Sequence, residues 1–236
     1  MYIPNENEIF HVHTFRCGHA GNDQDVEYVK KAVALGAKRI VFTDHCPFPG
    51  NPFKSRMEIE QLPEYISSLS SLKKEYESQI DIRIGLEAEY LPSFHDYYSE
   101  LIHTKGMDLL ILGQHLFEHE NGSWSFMDED NSNEYVGLCS AVIEGIKTGY
   151  FDVVAHPDRS FRRCKEWNPD MESFSAEIIK EARLHNVLLE QNYSSMKHKG
   201  YYWKQFWNQD AVDNSIYGYD AHSVEKMEKI WEKRKK

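Results

Sequence analysis

The feature that most constrains this chain is an alternation repeated about seven times: a short apolar run, a polar tip, then a stretch with helical spacing. Predicted strands cover residues 8–13, 39–43, 80–86, 108–113, 151–155, 187–190 and 215–219. Predicted helices cover 25–35, 59–78, 94–104, 133–147, 171–185 and the stretch from about Val224. Residues 118–131 read as a polar loop, and the Tyr- and Trp-rich stretch 199–209 takes no assignment. Alternation of this kind predicts parallel strands joined by crossover helices. Nearly continuous apolar strands predict a sheet covered on both faces. Chemistry-bearing side chains stand at every tip, which suits a closed barrel, where all strand C-termini collect at one end. An open sheet would concentrate them beside its switch point.

The tips carry His11, His13 and His19, then His45, Glu87, His115, His156, Asp220 and His222. If residues 8–13 form a strand, its period of two sends His11 and His13 to one face. Each tip alone has a plainer reading. His45 could be a turn residue, Glu87 a solvated strand end, and Asp220 a helix N-cap. Together, nine ligand-type side chains at successive strand ends point to metal. That is too many for one ion, and it fits two or three sharing a carboxylate. Imidazole plus carboxylate without thiolate suits zinc, iron or manganese. The other five histidines fall in predicted helices or loops and read as ordinary residues.

Composition narrows the classes. The chain has 236 residues, of which 41% are apolar and 13% aromatic, so it can bury a substantial core, and one domain over 1–236 is expected. The net charge of -11 argues against nucleic acid or an anionic membrane as partner. It does not forbid an anionic substrate, since bound cations can reverse the local field. The four cysteines are widely spaced, with no Cys-x-x-Cys pair, so neither a disulfide framework nor a thiolate zinc site is expected. The N-terminus has no signal-peptide pattern and no apolar run spans a membrane, so the expected compartment is the cytoplasm.

The order His-x-His…His, Thr43-Asp44-His45, Gly85-Leu86-Glu87, Gly113-Gln114-His115, Ala155-His156-Pro157-Asp158 and Asp220-Ala221-His222 resembles the polymerase-and-histidinol-phosphatase (PHP) superfamily over nearly the whole chain. Within it the chain is most similar to the histidinol-phosphate phosphatases. The resemblance implies a distorted (β/α)7 barrel with a trinuclear site. It implies a first ion on His11, His13, Glu87 and Asp220, a second on Glu87, His115 and His156, and a third on His19, His45 and His222. Glu89 is the rival to Glu87. The stretch Glu190-Gln191-Asn192-Tyr193-Ser194-Ser195 is only similar to the family's Glu-x-Asn segment, and the aromatic stretch after it diverges.

The implied reaction is hydrolysis of a small phosphorylated substrate, L-histidinol phosphate. It needs a nucleophile at neutral pH, which a hydroxide between two cations supplies. Guanidinium can stabilise the phosphoryl oxygens. Arg159 and Arg163 are the preferred clamps, with Arg16, Arg162 and Lys197 behind them. Asp158 or a site histidine could protonate the leaving group. The substrate's cationic end could meet Glu89, Asp158 and the aromatics Tyr90, Phe117, Tyr193, Tyr201 and Trp203, although these aromatics could equally just pack the loops. Two alternatives stand beside this reading: a phosphoesterase for another small phosphomonoester or nucleotide, and a metal-binding domain without catalysis.

Overall fold

A computed structural model describes residues 1–198, 200–209 and 212–235. Seven strands stand in chain order in one sheet: β1 (Glu8–Val12), β2 (Arg39–His45), β3 (Asp81–Ala88), β4 (Leu109–Leu112), β5 (Val153–Val154), β6 (Leu188–Asn192) and β7 (Ser215–Gly218). A helix follows each strand: α1 (Asp25–Ala34), α2 (Leu62–Glu75), α3 (His95–His103), α4 (Glu134–Lys147), α5 (Pro169–Leu184), α6 (Lys204–Trp207) and α7 (Val224–Arg234). Just beyond β7, Tyr219 N donates to Phe10 O at 2.8 Å, and Ala221 N donates to His11 O at 3.2 Å. The chain thus returns to β1, and the expected (β/α)7 barrel topology is present. No helix among the described residues is long and apolar enough to cross a membrane.

The chain divides into two compact units, each assembled from separate segments. The first takes Ile3–Glu87, Met107–Leu109 and the stretch from Gly218 onward. Its β2 and β3 pair in parallel without interruption, from Arg39 opposite Asp81 to His45 opposite Glu87. Ile9, Phe10, Ile40, Val41, Phe42, Ile82 and Leu86 form the buried strand core. Onto it α1 turns Tyr28, Val29 and Ala32, and α7 turns Met227, Ile230 and Trp231. The helix expected from Ile59 is divided. Residues Ile59–Gln61 form a 3-10 turn, and α2 begins at Leu62. The cause is Pro63, which has no N–H to give the Ile59 carbonyl, yet suits the first turn of a helix that starts one residue before it.

Gly85 has a structural reason in this unit. A Cβ there would lie 2.7 Å from the Leu109 carbonyl oxygen and 2.8 Å from its Cδ2. A backbone oxygen cannot rotate aside, so β3 keeps its place only with glycine two residues ahead of Glu87. Gly85→Ala is expected to cost about 1–3 kcal/mol by overpacking, read as a lower midpoint in urea unfolding with an unchanged slope.

The second unit takes Met1–Tyr2, Ala88–Gly106 and Leu110–Tyr217. Here β5 pairs in parallel with β4 and with β6. It is shorter than the predicted 151–155, because His156 turns the chain with φ 35°. The 118–131 stretch is mostly irregular, with one 3-10 turn at Ser125–Met127. The unassigned aromatic stretch carries α6, whose Phe206 and Trp207 are buried.

Candidate metal centre

Seven of the nine predicted ligands lie in the first unit, and the structure brings them together. The reason for the first pair differs from the expected alternation. β1 ends at Val12, its register with β2 shifts between Ile9 and Val12, and His11 takes φ 69°. An irregularity at His11, not strict period-two pleating, sets His11 and His13 side by side, with ring centroids 4.9 Å apart. The β2–β3 register places Glu87 opposite His45. Its Oε2 lies 3.2 Å from His11 Nε2, 3.4 Å from His13 Nε2 and 3.1 Å from His45 Nδ1. Asp220 Oδ1 lies 3.5 Å from His13 Nε2. His222 stacks on His13 at 4.2 Å between centroids, and His19 lies 4.6 Å from His222.

This donor set fits metal ions. Ligands about 2.0–2.2 Å from a tetrahedral centre are about 3.3–3.6 Å from one another, and the distances from His13 Nε2 to Glu87 and Asp220 match that spacing. His13 Nε2 and His222 Nε2 are also buried without a hydrogen-bond partner, which burial ordinarily forbids. The ligand atoms of His11, His13 and Asp220 all lie within 4.8 Å of one another, as do those of His13, His45 and His222.

The surroundings prepare the imidazoles to bind. Carbonyl oxygens only accept, so His19 Nδ1 donates to Cys17 O at 3.0 Å and His222 Nδ1 to Asp220 O at 3.1 Å. Each ring then offers its Nε2 lone pair, the arrangement that outer contacts of metal sites impose. Burial, helped by the neighbouring His222, His45 and His11 rings, holds His13 well below the usual histidine range. Burial takes His222 down to about 4, against the pull of Asp220. Neutral imidazole is the form a cation needs.

The second unit holds the other two predicted ligands. The His115 and His156 rings lie 5.2 Å apart. Glu89, the rival carboxylate, has its Oε1 3.2 Å from His115 Nδ1, where it can orient that ring. Glu190, fully buried, accepts from the His156 backbone N at 3.0 Å and from Asn192 Nδ2 at 3.0 Å. Asn192 Oδ1 in turn accepts from Arg159 Nη2 at 3.2 Å, and Ser195 Oγ accepts from the same nitrogen at 2.8 Å. Sequence reasoning gave Asn192 and Ser195 no role. Their only local signal was the Glu-x-Asn similarity.

The cationic candidates separate by partner. Arg159 donates to the neutral oxygens of Asn192 and Ser195. Arg163 Nε donates to Glu134 Oε2 at 2.7 Å, and Arg162 donates to Glu134 Oε1 at 2.6 Å. Arg16 is buried in a fork on Asp25 at 2.7 and 2.9 Å, with Glu64 at 2.6 Å. Lys197 Nζ sits over the Tyr193 ring, 5.4 Å from its centroid. Asp158 is fully buried, and its Oδ2 accepts from Trp203 N at 2.8 Å and Trp207 Nε1 at 2.9 Å. Burial pushes its carboxyl up to about 7, against those two bonds. Removing the amide at Asn192 should loosen Arg159. Asn192→Ala is expected to raise KM for a phosphate ester about tenfold while the metal content is unchanged, from the loss of a hydrogen bond to a charged group.

A seven-stranded α/β barrel with clustered imidazoles and carboxylates at its strand ends defines a class of metal-binding enzyme folds. The chain belongs to the PHP domain family, whose model matches residues 10–194. It is 35% identical over 151 residues to a histidinol-phosphatase of Bacillus subtilis, a match covering 60% of this chain. The matched stretches span 59% and 56% of the lengths of two curated relatives. A crystal structure from Listeria monocytogenes superposes with TM-score 0.75 at 20% identity, covering 93% of this chain and 96% of that one. The Lactococcus lactis histidinol phosphate phosphatase, solved with zinc, L-histidinol and phosphate, superposes with TM-score 0.71 at 19% identity, covering 97% and 93%. At these identities the two structures establish the fold.

Proposed function

We propose that the protein is a metal-dependent phosphatase that hydrolyses L-histidinol phosphate to L-histidinol and phosphate. One observation carries this reading above the others: His13 Nε2 and His222 Nε2 are buried without partners inside a ring of imidazoles and carboxylates. The relatives supply the substrate, since one is named a histidinol-phosphatase and another was solved with L-histidinol and phosphate. The proposed complement is two to three divalent ions, of zinc, iron or manganese. His11, His13, Glu87 and Asp220 would hold one, and His19, His45 and His222 another. His115 and His156 are the remaining proposed ligands. Four free cysteines suit a reducing cytoplasm as the proposed compartment.

When bound, the ions supply Lewis acidity, lowering the pKa of water and neutralising phosphoryl oxygens. The chain does the rest. Glu87 sets the charge at the middle of the histidine cluster. Arg159, steadied by Asn192 and Ser195, is the proposed phosphate clamp. Arg163 gives way to it, because its guanidinium is committed to Glu134. Asp158 holds the Trp203–Trp207 stretch, which makes it a positioning group in this proposal in place of a proton donor.

The test compares kcat/KM for histidinol phosphate, other phosphomonoesters and short oligonucleotides at one metal loading. A preference of about a hundredfold for histidinol phosphate, roughly 2.7 kcal/mol of differential transition-state binding, is expected. A flat profile, or a nucleotide preferred, overturns the substrate assignment.

A further inference from the structure

Cys17 is fully buried, and its sulfur is 3.2 Å from His13 Nδ1. The same sulfur receives the His45 backbone N–H at 3.4 Å. A carboxylate oxygen of Asp44 also lies within 4.8 Å of the sulfur. That carboxylate is itself fixed by Thr14, which gives it both its backbone N–H and its hydroxyl. Asp44 Oδ1 is 4.0 Å from His13 Nδ1, beyond direct hydrogen bonding, whereas the sulfur is within reach of that nitrogen.

Ring nitrogens of a metal-binding histidine act as a pair: the outer one must carry the proton if the inner one is to offer its lone pair. The usual outer partner is a carboxylate or a backbone carbonyl. His19 and His222 follow that rule through carbonyls. His13 does not. Its Nδ1 meets sulfur, while its Nε2 faces Glu87 at 3.4 Å and Asp220 at 3.5 Å.

We propose that Cys17 is a positioning residue, a thiol bridge that takes the Nδ1 proton of His13 as acceptor, gives its own S–H to Asp44, and so fixes the tautomer and aim of His13 toward Glu87 and Asp220. The proposal rests on the metal-dependent reading above, for the purpose of that aim. Two other uses of the thiol are weaker. As a mere core filler it would have no need of three polar neighbours. As a thiolate ligand it would set a second buried negative charge against Asp44, although the donor atoms of His13, Cys17 and Asp44 do lie within 4.8 Å of one another.

The experiment uses the whole chain and three readouts that need no substrate. In metal-free wild-type protein, long-range proton–nitrogen correlation of labelled imidazoles is expected to show His13 as the Nδ1–H tautomer. Competition with a chelator is expected to show Cys17→Ala binding zinc about 10–100-fold more weakly than wild type. Cys17→Ser keeps a donor and an acceptor at that place and should lose less. In cobalt-loaded wild type, no thiolate-to-cobalt charge-transfer band should appear in the near ultraviolet. An Nε2–H tautomer for His13, unchanged zinc affinity in Cys17→Ala, or a charge-transfer band overturns the proposal. The wild-type readouts and Cys17→Ser decide the matter whether or not Cys17→Ala folds. A preference for some other phosphate ester would defeat the substrate assignment and leave this one standing.

Discussion

Glu87→Gln is expected to lower kcat on the order of a thousandfold, with a matching loss of bound metal, and Glu89→Gln far less. The two carboxylates are near neighbours on and just after β3, and both are buried. Their partners differ. Glu87 Oε2 stands within 3.4 Å of nitrogens on His11, His13 and His45, so one oxygen serves three rings. Glutamine keeps the shape and removes the charge proposed to hold a cation there. A transition-state loss of about 4 kcal/mol corresponds to roughly a thousandfold in rate. Glu89 meets His115 Nδ1, and outer contacts of this kind are worth about 10–100-fold in metal affinity. Steady-state kinetics with elemental analysis of each variant makes the comparison. The opposite ordering would show that Glu89 carries the metal.

Stripping the ions should lower the melting temperature by about 8–16 °C and abolish turnover, with zinc, manganese or iron restoring both. Ions held at a thousand times their dissociation constant stabilise a fold by about 4 kcal/mol. For a chain of this length each kcal/mol moves the midpoint by about 2–4 °C. The structure gives a further reason for a large shift: His13 and Glu87 are fully buried polar groups whose natural complement is a cation. Calorimetry before and after dialysis against a chelator measures it. A change below about 2 °C would mean that the cluster assembles without need of metal.

Much of this was legible before the structure. The strand order and the helix after each strand follow from alternating apolar runs and helical spacing, which are local signals. The tips were legible because chemistry-bearing residues stood where a barrel collects them. What failed to show was set by distant partners or by strained backbone. His11, His156 and Asp220 sit at φ 69°, 35° and 49°, a region that non-glycine residues rarely adopt and that no propensity announces. Strict alternation therefore described β1 wrongly, although His11 and His13 do lie side by side. Arg16 stood among the candidate phosphate clamps, because its partners Asp25 and Glu64 lie elsewhere in the chain. Arg163 was ranked beside Arg159 for the same reason: Glu134, on another element, is invisible to local reading. The difference in partners between Glu87 and Glu89 follows from the β2–β3 register, which sets His45 opposite Glu87.

The return of the chain onto β1 has a consequence for the order of events at the ribosome. Residues Phe10 to His13 bond to Tyr219 and Ala221, and the histidine cluster takes its last members from Asp220 and His222. About 200 residues separate the two halves. At roughly 5–20 residues per second, synthesis leaves the first four histidines of the cluster waiting about 10–40 s for their partners. Through that interval the early imidazoles lack the carboxylate and ring that Asp220 and His222 bring to the cluster. The cluster is therefore complete only when the stretch after the final strand docks, so in the proposed metal-binding reading the choice of ion would belong to the finished protein and not to the growing one.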